Sequence, residues 1–148
     1  MKISIAFLTK YGNGKTCAES LERILRAKGH DARAFSIRDI KPKDLPESDI
    51  YIFSTPTHAG TAPFKMKGFL RKFQPPKEGA KYALITTRAA PTTKSLGRMD
   101  EVLKPKGMTR ITAGLEIVVK GMKGPLEDGY EKKIEDLAAK IVGQASGL

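Results

Sequence analysis

Along the chain, short apolar runs alternate five times with segments of helical period. The runs at residues 3–8, 32–37, 49–53, 82–86 and 110–119 are rich in β-branched and aromatic side chains, which predicts five strands. Several are apolar on successive residues, as in IAFL, IYIF and YALI, the pattern of parallel strands covered on both faces. Between them, Ala18, Leu21 and Leu25 mark one buried helical stripe, with Glu19 and Glu22 four residues before Arg23 and Arg26 on its outer side. Met66, Phe69, Leu70 and Phe73 form a second stripe, ended by Pro75 and Pro76. Leu96, Met99, Val102 and Leu103 form a third, and Tyr130, Ile134, Leu137 and Ile141 a fourth, for which Asp128 and Glu131 have the spacing of a capping box. Pro42 and Pro46 restrict residues 38–48 to a loop with one helical turn. The order β-α-β-(α)-β-α-β-α-β-α, with right-handed crossovers, predicts an α/β three-layer doubly wound sheet.

The chain has 148 residues, 40% of them hydrophobic, and no linker or low-complexity stretch, so one domain over residues 1–148 is expected. Its single cysteine, Cys17, excludes an intrachain disulfide, a thiolate metal cluster and a CxxC redox pair, and with the absence of any long apolar run this suggests a cytoplasmic protein without a membrane span. Charge adds a constraint: 27 basic against 16 acidic residues give a net +11. The excess is spread over both halves, with 14 basic and 7 acidic residues in 1–74, so it is not a detachable tail. Such a surface favours acidic partners. Nucleic acid is disfavoured, because no exposed aromatics are interleaved with the cations.

Ligands of doubly wound sheets lie beyond the carboxyl ends of the strands, which directs attention to three loops. The first, Thr9-Lys10-Tyr11-Gly12-Asn13-Gly14-Lys15-Thr16, leaves strand one and opens a helix. Its glycines, hydroxyls, lysines and free helix-start N–H groups make an anion cradle. The same residues nearly fit GxxxxGK[ST], with Thr9 in place of the first glycine. Strands three and four, however, end in Phe53-Ser54-Thr55 and Thr86-Thr87, without the acid that holds Mg²⁺ in nucleotide triphosphatases. The second loop, with Thr55, Pro56, Thr57, His58, Ala59 and Gly60, and the third, with Thr87, Arg88, Ala89 and Ala90, are small and hydroxylated, and together can wall a slot for a flat ligand. No acid–base or nucleophilic triad appears.

These stretches resemble the flavodoxin family, over nearly the whole chain. Thr9 to Gly14 stand at that family's phosphate loop, DIYIFSTPTHAGTAPFKMKGFL resembles its third strand, ring loop and following helix, KYALITT resembles its fourth strand, and Gly107-Met108 the lead into its fifth. The resemblance implies a flavodoxin-like sheet of order 2-1-3-4-5, bound FMN, and one- or two-electron redox chemistry. It assigns the FMN phosphate to the first loop and the isoalloxazine ring to the space between the second and third. Tyr11 and Gly14 stand where the family usually has two further hydroxyls, and His58 and Ala59 stand where many members carry aromatics that stack on the ring. Electron-carrying flavodoxins are typically acidic, so a chain of +11 calls for a partner of opposite sign.

The expected function is electron transfer to or from an acidic redox protein or a small-molecule acceptor. The alternatives are an NAD(P)H-dependent FMN or quinone reductase, and a flavin-free module that binds a partner through its basic face. Arg88 is a candidate cation beside the flavin N1 edge, where it would raise the two-electron potential, or else a solvent-facing arginine. His58 either touches the ring or is an exposed loop histidine, and His30 is structural. Cys17 is expected as a small buried residue, although a helix start can also lower a thiol pKa. Lys65, Lys67, Arg71, Lys72, Lys77 and Lys81 form a basic cluster expected beside the flavin edge.

Overall fold

The computed structural model describes residues 1–146. Strand β1 (Lys2–Phe7) leads into helix α1 (Asn13–Ala27), followed by β2 (Asp31–Ser36), a single 3₁₀ turn at Pro42–Asp44, and β3 (Ile50–Pro56). Helix α2 (Phe64–Lys72), β4 (Lys81–Arg88), α3 (Ser95–Leu103), a second 3₁₀ turn at Lys104–Lys106, β5 (Thr109–Arg110), β6 (Leu115–Val118) and α4 (Tyr130–Ser146) complete the order. All strand pairings are parallel, and the sheet runs β2-β1-β3-β4-β5, with β6 also on β4. The predicted doubly wound architecture and its strand order are therefore present.

Alternation within the strands divides the interior in two. Ile3, Ile5, Ile50, Ile52, Ala83 and Ile85 face α1 and α4, packing on Leu21, Leu25, Ile134 and Ile141. Ala6, Tyr51, Phe53, Tyr82 and Leu84 face α2 and α3, packing on Met66, Leu70, Phe73, Met99 and Leu103. Phe73 meets both Tyr51 and Phe53 edge-on, at centroid distances of 4.9 and 5.6 Å. Such aromatic pairs add about 1 kcal/mol each beyond their burial, which fixes α2 on this face.

Two expectations change. The fifth strand is not continuous over residues 110–119: Tyr82 is opposite Arg110 and Ile85 opposite Leu115, so three steps along β4 face five on the last strand. The two extra residues form a bulge ending at Gly114, whose φ of +96° no branched residue adopts cheaply. The capping box before α4 does not form, because Asp128 instead reaches Lys120 at 3.0 Å. No helix among the described residues is long and apolar enough to cross a membrane.

Candidate functional site

Register sets the height of the walls at the carboxyl end of the sheet. Phe7 ends β1 opposite Ser54, while β3 runs on to Pro56 and β4 to Arg88, so the chain leaves β1 lower than its neighbours. On that step Gly12 takes φ +94°, and its N–H donates to Thr9 Oγ1 at 3.0 Å. Gly14 is required by close approach: a Cβ there would lie 2.7 Å from the Leu8 carbonyl oxygen. The first turn of α1 thus sits directly on the end of β1. Thr16 closes that turn, with both its N–H and its hydroxyl donating to the Gly12 carbonyl at 3.0 Å. The N–H groups of Asn13, Gly14 and Lys15 have no acceptor among the described residues, and the first turn holds no carboxylate. Three open donors and the positive end of the helix point to one place.

The second and third loops are tied together by hydroxyls. Thr57 Oγ1 lies 3.0 Å from Thr86 Oγ1, 2.8 Å from Thr93 Oγ1 and 2.9 Å from Ser95 Oγ, and the Thr57 N–H donates to the Thr87 carbonyl at 2.9 Å. Beyond Thr57 the chain reverses in a two-residue turn, with His58 and Thr61 exchanging backbone hydrogen bonds around Ala59 and Gly60. Ala59 holds φ +51°, a left-handed conformation that costs a non-glycine residue roughly 1 kcal/mol or more.

A cavity of about 300 Å³ opens where these loops meet. Thr9, Lys10, Tyr11, Asn13 and Gly14 line one side. Pro56, Thr57, His58 and Ala59 line the second, and Thr87, Arg88 and Ala89 the third. A fourth wall, formed by Val119, Gly121 and Met122, comes from the connection between β6 and α4. That connection leans on the first loop, as Asn13 Nδ2 donates to the Lys123 carbonyl at 3.4 Å and the Lys123 ammonium stands 5.9 Å from the Tyr11 ring centroid. Met122 is 80% exposed at the rim, with Tyr11. The turn residues Gly121, Gly124 and Pro125 after the last strand were the available signal for this wall, since ligands of such a sheet lie beyond the carboxyl ends of its strands.

A cavity walled by four of the carboxyl-end loops, with open donors at the start of the first helix, has the placement expected of a ligand site in an α/β sheet. The flavodoxin family model matches residues 5–137. The chain belongs to the flavodoxin family. Among solved structures it is similar to a flavodoxin from the domain Archaea, with a TM-score of 0.83 and 21% identity over 99% of both chains. It is similar also to oxidised Flavodoxin 1 from Bacillus cereus, with a TM-score of 0.80 and 18% identity over 97% of this chain and 98% of that one. Against rubredoxin oxygen:oxidoreductase from Desulfovibrio gigas the TM-score is 0.78 at 14% identity, covering 98% of this chain and 36% of that larger one. At these identities the likeness is one of fold. No curated protein sequence matches the chain.

Within this flavodoxin fold the predicted residues divide. Gly12, Lys15, Thr16, Thr55, Gly60 and Ala90 do not line the cavity. Gly12 shapes the loop, the Thr16 hydroxyl is spent inside α1, and Thr55 Oγ1 is buried against the Pro56 carbonyl at 3.1 Å. Ala90 contributes its carbonyl, which accepts from Arg88 Nη1 at 2.7 Å. Arg88 is neither a free cation nor solvent-facing: its Nε donates to Glu116 Oε1 at 2.7 Å, and its side chain is 21% exposed. Lys10 has no carboxylate within 4.0 Å among the described residues, and its ammonium stands 5.3 Å from the Tyr11 ring centroid. Partial burial, together with the positive charge of Lys10, holds the His58 imidazole below its ordinary pKa, so His58 is neutral at pH 7. His30 lies at the other end of the sheet, 3.0 Å from the Met1 amino group.

Cys17 is fully buried, and desolvation pushes its thiol up to about 12. The basic cluster does not stay together. Lys77 and Lys81 lie at the amino end of the strands, with Lys77 held by Glu47 at 3.2 Å, so neither adjoins the cavity. Lys65 and Lys72 border a groove beside exposed Phe64, and Lys67 and Arg71 face α3.

Proposed function

We propose that this chain is a cytoplasmic FMN-binding electron carrier, with the flavin phosphate at the start of α1 and the isoalloxazine ring between the second and third loops. The observation that carries the reading is the set of three acceptor-less N–H groups at the start of α1, on Asn13 and Gly14, which line the cavity walled by four loops, and on Lys15 next to them. These residues fit a phosphate monoester: backbone donors aimed by a glycine-held turn, the Thr9 hydroxyl, and Lys10 beside them. They replace the hydroxyls that the family usually carries at Tyr11 and Gly14.

Bound FMN supplies the redox chemistry, and the chain positions it and sets its surroundings. Pro56, Thr57 and Ala59 offer backbone and small side chains to a flat ring on one side, and Met122 and Tyr11 offer apolar cover from the rim. Neutral His58 can share a hydrogen bond without adding charge. Arg88, tied to Glu116, presents a dipole in place of a full positive charge. The basic surface favours an acidic redox protein or an anionic small acceptor as the electron partner.

The test is the absorbance spectrum of purified protein before and after addition of FMN, followed by desalting and reduction with dithionite. A flavin band that stays with the protein at one equivalent and bleaches on reduction is the expected result. Protein that remains colourless after reconstitution would refute the proposal and leave a flavin-free flavodoxin module.

A further inference from the structure

Beside the loop cavity, between α2 and α3, lies a groove of about 720 Å³. Lys67 and Arg71 reach it from one helix and Lys94 and Arg98 from the other, each pair spaced four residues apart. Like charges at that spacing destabilise a helix by about 0.2–0.5 kcal/mol per pair. Lys94 adds to the cost by standing at the N-cap of α3, where the helix end is already positive and the first turn has no acid. Some cations elsewhere are matched with acids, as in Lys120–Asp128, Lys132–Asp136 and Lys104–Asp100. In the groove, Glu101 pairs with Arg98 at 3.1 Å, and no carboxylate among the described residues lies within 4.0 Å of Lys67, Arg71 or Lys94. The Lys67 ammonium instead stands 4.7 Å from the Phe64 ring centroid. Thr61 also lines the groove, and its shielded Oγ1 has no hydrogen-bond partner among the described residues.

Two facing rows of cations with one acid between them repel one another, and a bound anion would relieve that repulsion. The groove's concavity and size suit a small ligand. The Arg71 fork, flanked by Lys67 and Lys94 and faced by Arg98, which Glu101 holds, suits phosphate oxygens better than single carboxylates. We infer that the α2–α3 groove is a binding site for the diphosphate group of a small molecule of the nucleoside diphosphate class. Ala59 lines both the groove and the loop cavity, so the remainder of such a ligand lies next to the cavity across the Ala59-Gly60 turn. None of the four cations lines the loop cavity, and the inference does not depend on the flavin.

The experiment is isothermal titration of FMN-saturated protein with ADP and with pyrophosphate at low ionic strength, alongside a poly-glutamate peptide. One saturable site for ADP is expected, weakened at least tenfold in Arg71→Ala/Lys94→Ala and unchanged in Lys28→Ala/Lys140→Ala, which removes the same charge from α1 and α4 on the opposite layer. Circular dichroism and FMN retention, read on the same variants, should match the parent. Equal weakening in both double variants, no saturable site, or a site that takes the peptide in preference to ADP would each overturn the inference, the last pointing to an acidic protein. Protein that binds ADP through these residues yet retains no FMN would sink the electron-carrier reading alone.

Discussion

The two ends of β4 treat polar groups in opposite ways. At the amino end, the Tyr82 hydroxyl donates to buried Asp100, whose carboxylate also meets Lys104 at 3.1 Å and Arg110 at 3.7 Å. Burial pushes the Asp100 carboxyl up, but the hydrogen bonds from Tyr82 and Lys104 and the charge of Arg110 outweigh it and hold the pKa below its ordinary value. These groups satisfy one another inside the protein. At the carboxyl end, Arg88 is matched by Glu116 and the hydroxyls of Thr57, Thr86, Thr93 and Ser95 satisfy one another, yet the donors of the first loop and Lys10 are left open. A polar network closed on itself serves the fold, whereas one with donors left over is shaped for something that arrives later.

If that contrast is right, substitutions at the closed end should cost the most stability and those at the open end should show in the ligand. Asp100→Ala should lose about 3 kcal/mol in urea denaturation, since it removes a charge-assisted hydrogen bond and strands the buried Tyr82 hydroxyl. A depressed folded-state pKa means that the Asp100 contribution is fully present above its ordinary value of 3.8 and is lost as pH falls through the lower folded value. Parent and variant stabilities should accordingly converge in acid, and a gap that persists there would show that the carboxylate charge is not what is lost. Gly14→Ala should cost about 2 kcal/mol through its clash with the Leu8 carbonyl, and should weaken FMN binding more than tenfold, measured by fluorescence quenching.

Thr57→Val, which removes the hub of the hydroxyl cluster, should cost about 1 kcal/mol and leave the far end of β4 untouched by hydrogen exchange. The smallest effect belongs to Glu116→Gln. Releasing Arg88 from its partner should raise the two-electron midpoint by about 20 mV, equivalent to roughly 1 kcal/mol, with little change in stability. An unchanged potential would mean that Arg88 stays bound to the Ala90 carbonyl and away from the ring.

The sheet was legible because burial on both faces leaves a strong signature: β1 to β4 fall within three residues of the runs read from the sequence. The 3₁₀ turn at Pro42–Asp44 was equally plain, since proline permits little else. The last strand was not, because a bulge depends on which residues of β4 it must face, and that is set by register rather than by local composition. At the site, the loops were legible from their glycines and hydroxyls, but the roles of individual residues were not. Arg88 and Glu116 are 28 residues apart in sequence, and only the pairing of β6 with β4 sets the acid against the cation. The same holds for Lys67, Arg71, Lys94 and Arg98, whose meeting across two helices no single segment announces.

Cys17 supplies a built-in clock. A thiol with no exposure and a pKa pushed up to about 12 reacts with a disulfide reagent only when α1 lifts from the sheet. Its labelling rate therefore counts openings of the helix that begins at the first loop, one residue type being enough because the chain contains no other cysteine. Should the rate fall when FMN is added but not when ADP is, the frequency of that lifting is governed from the loop cavity, and the helix start is held shut by what it binds.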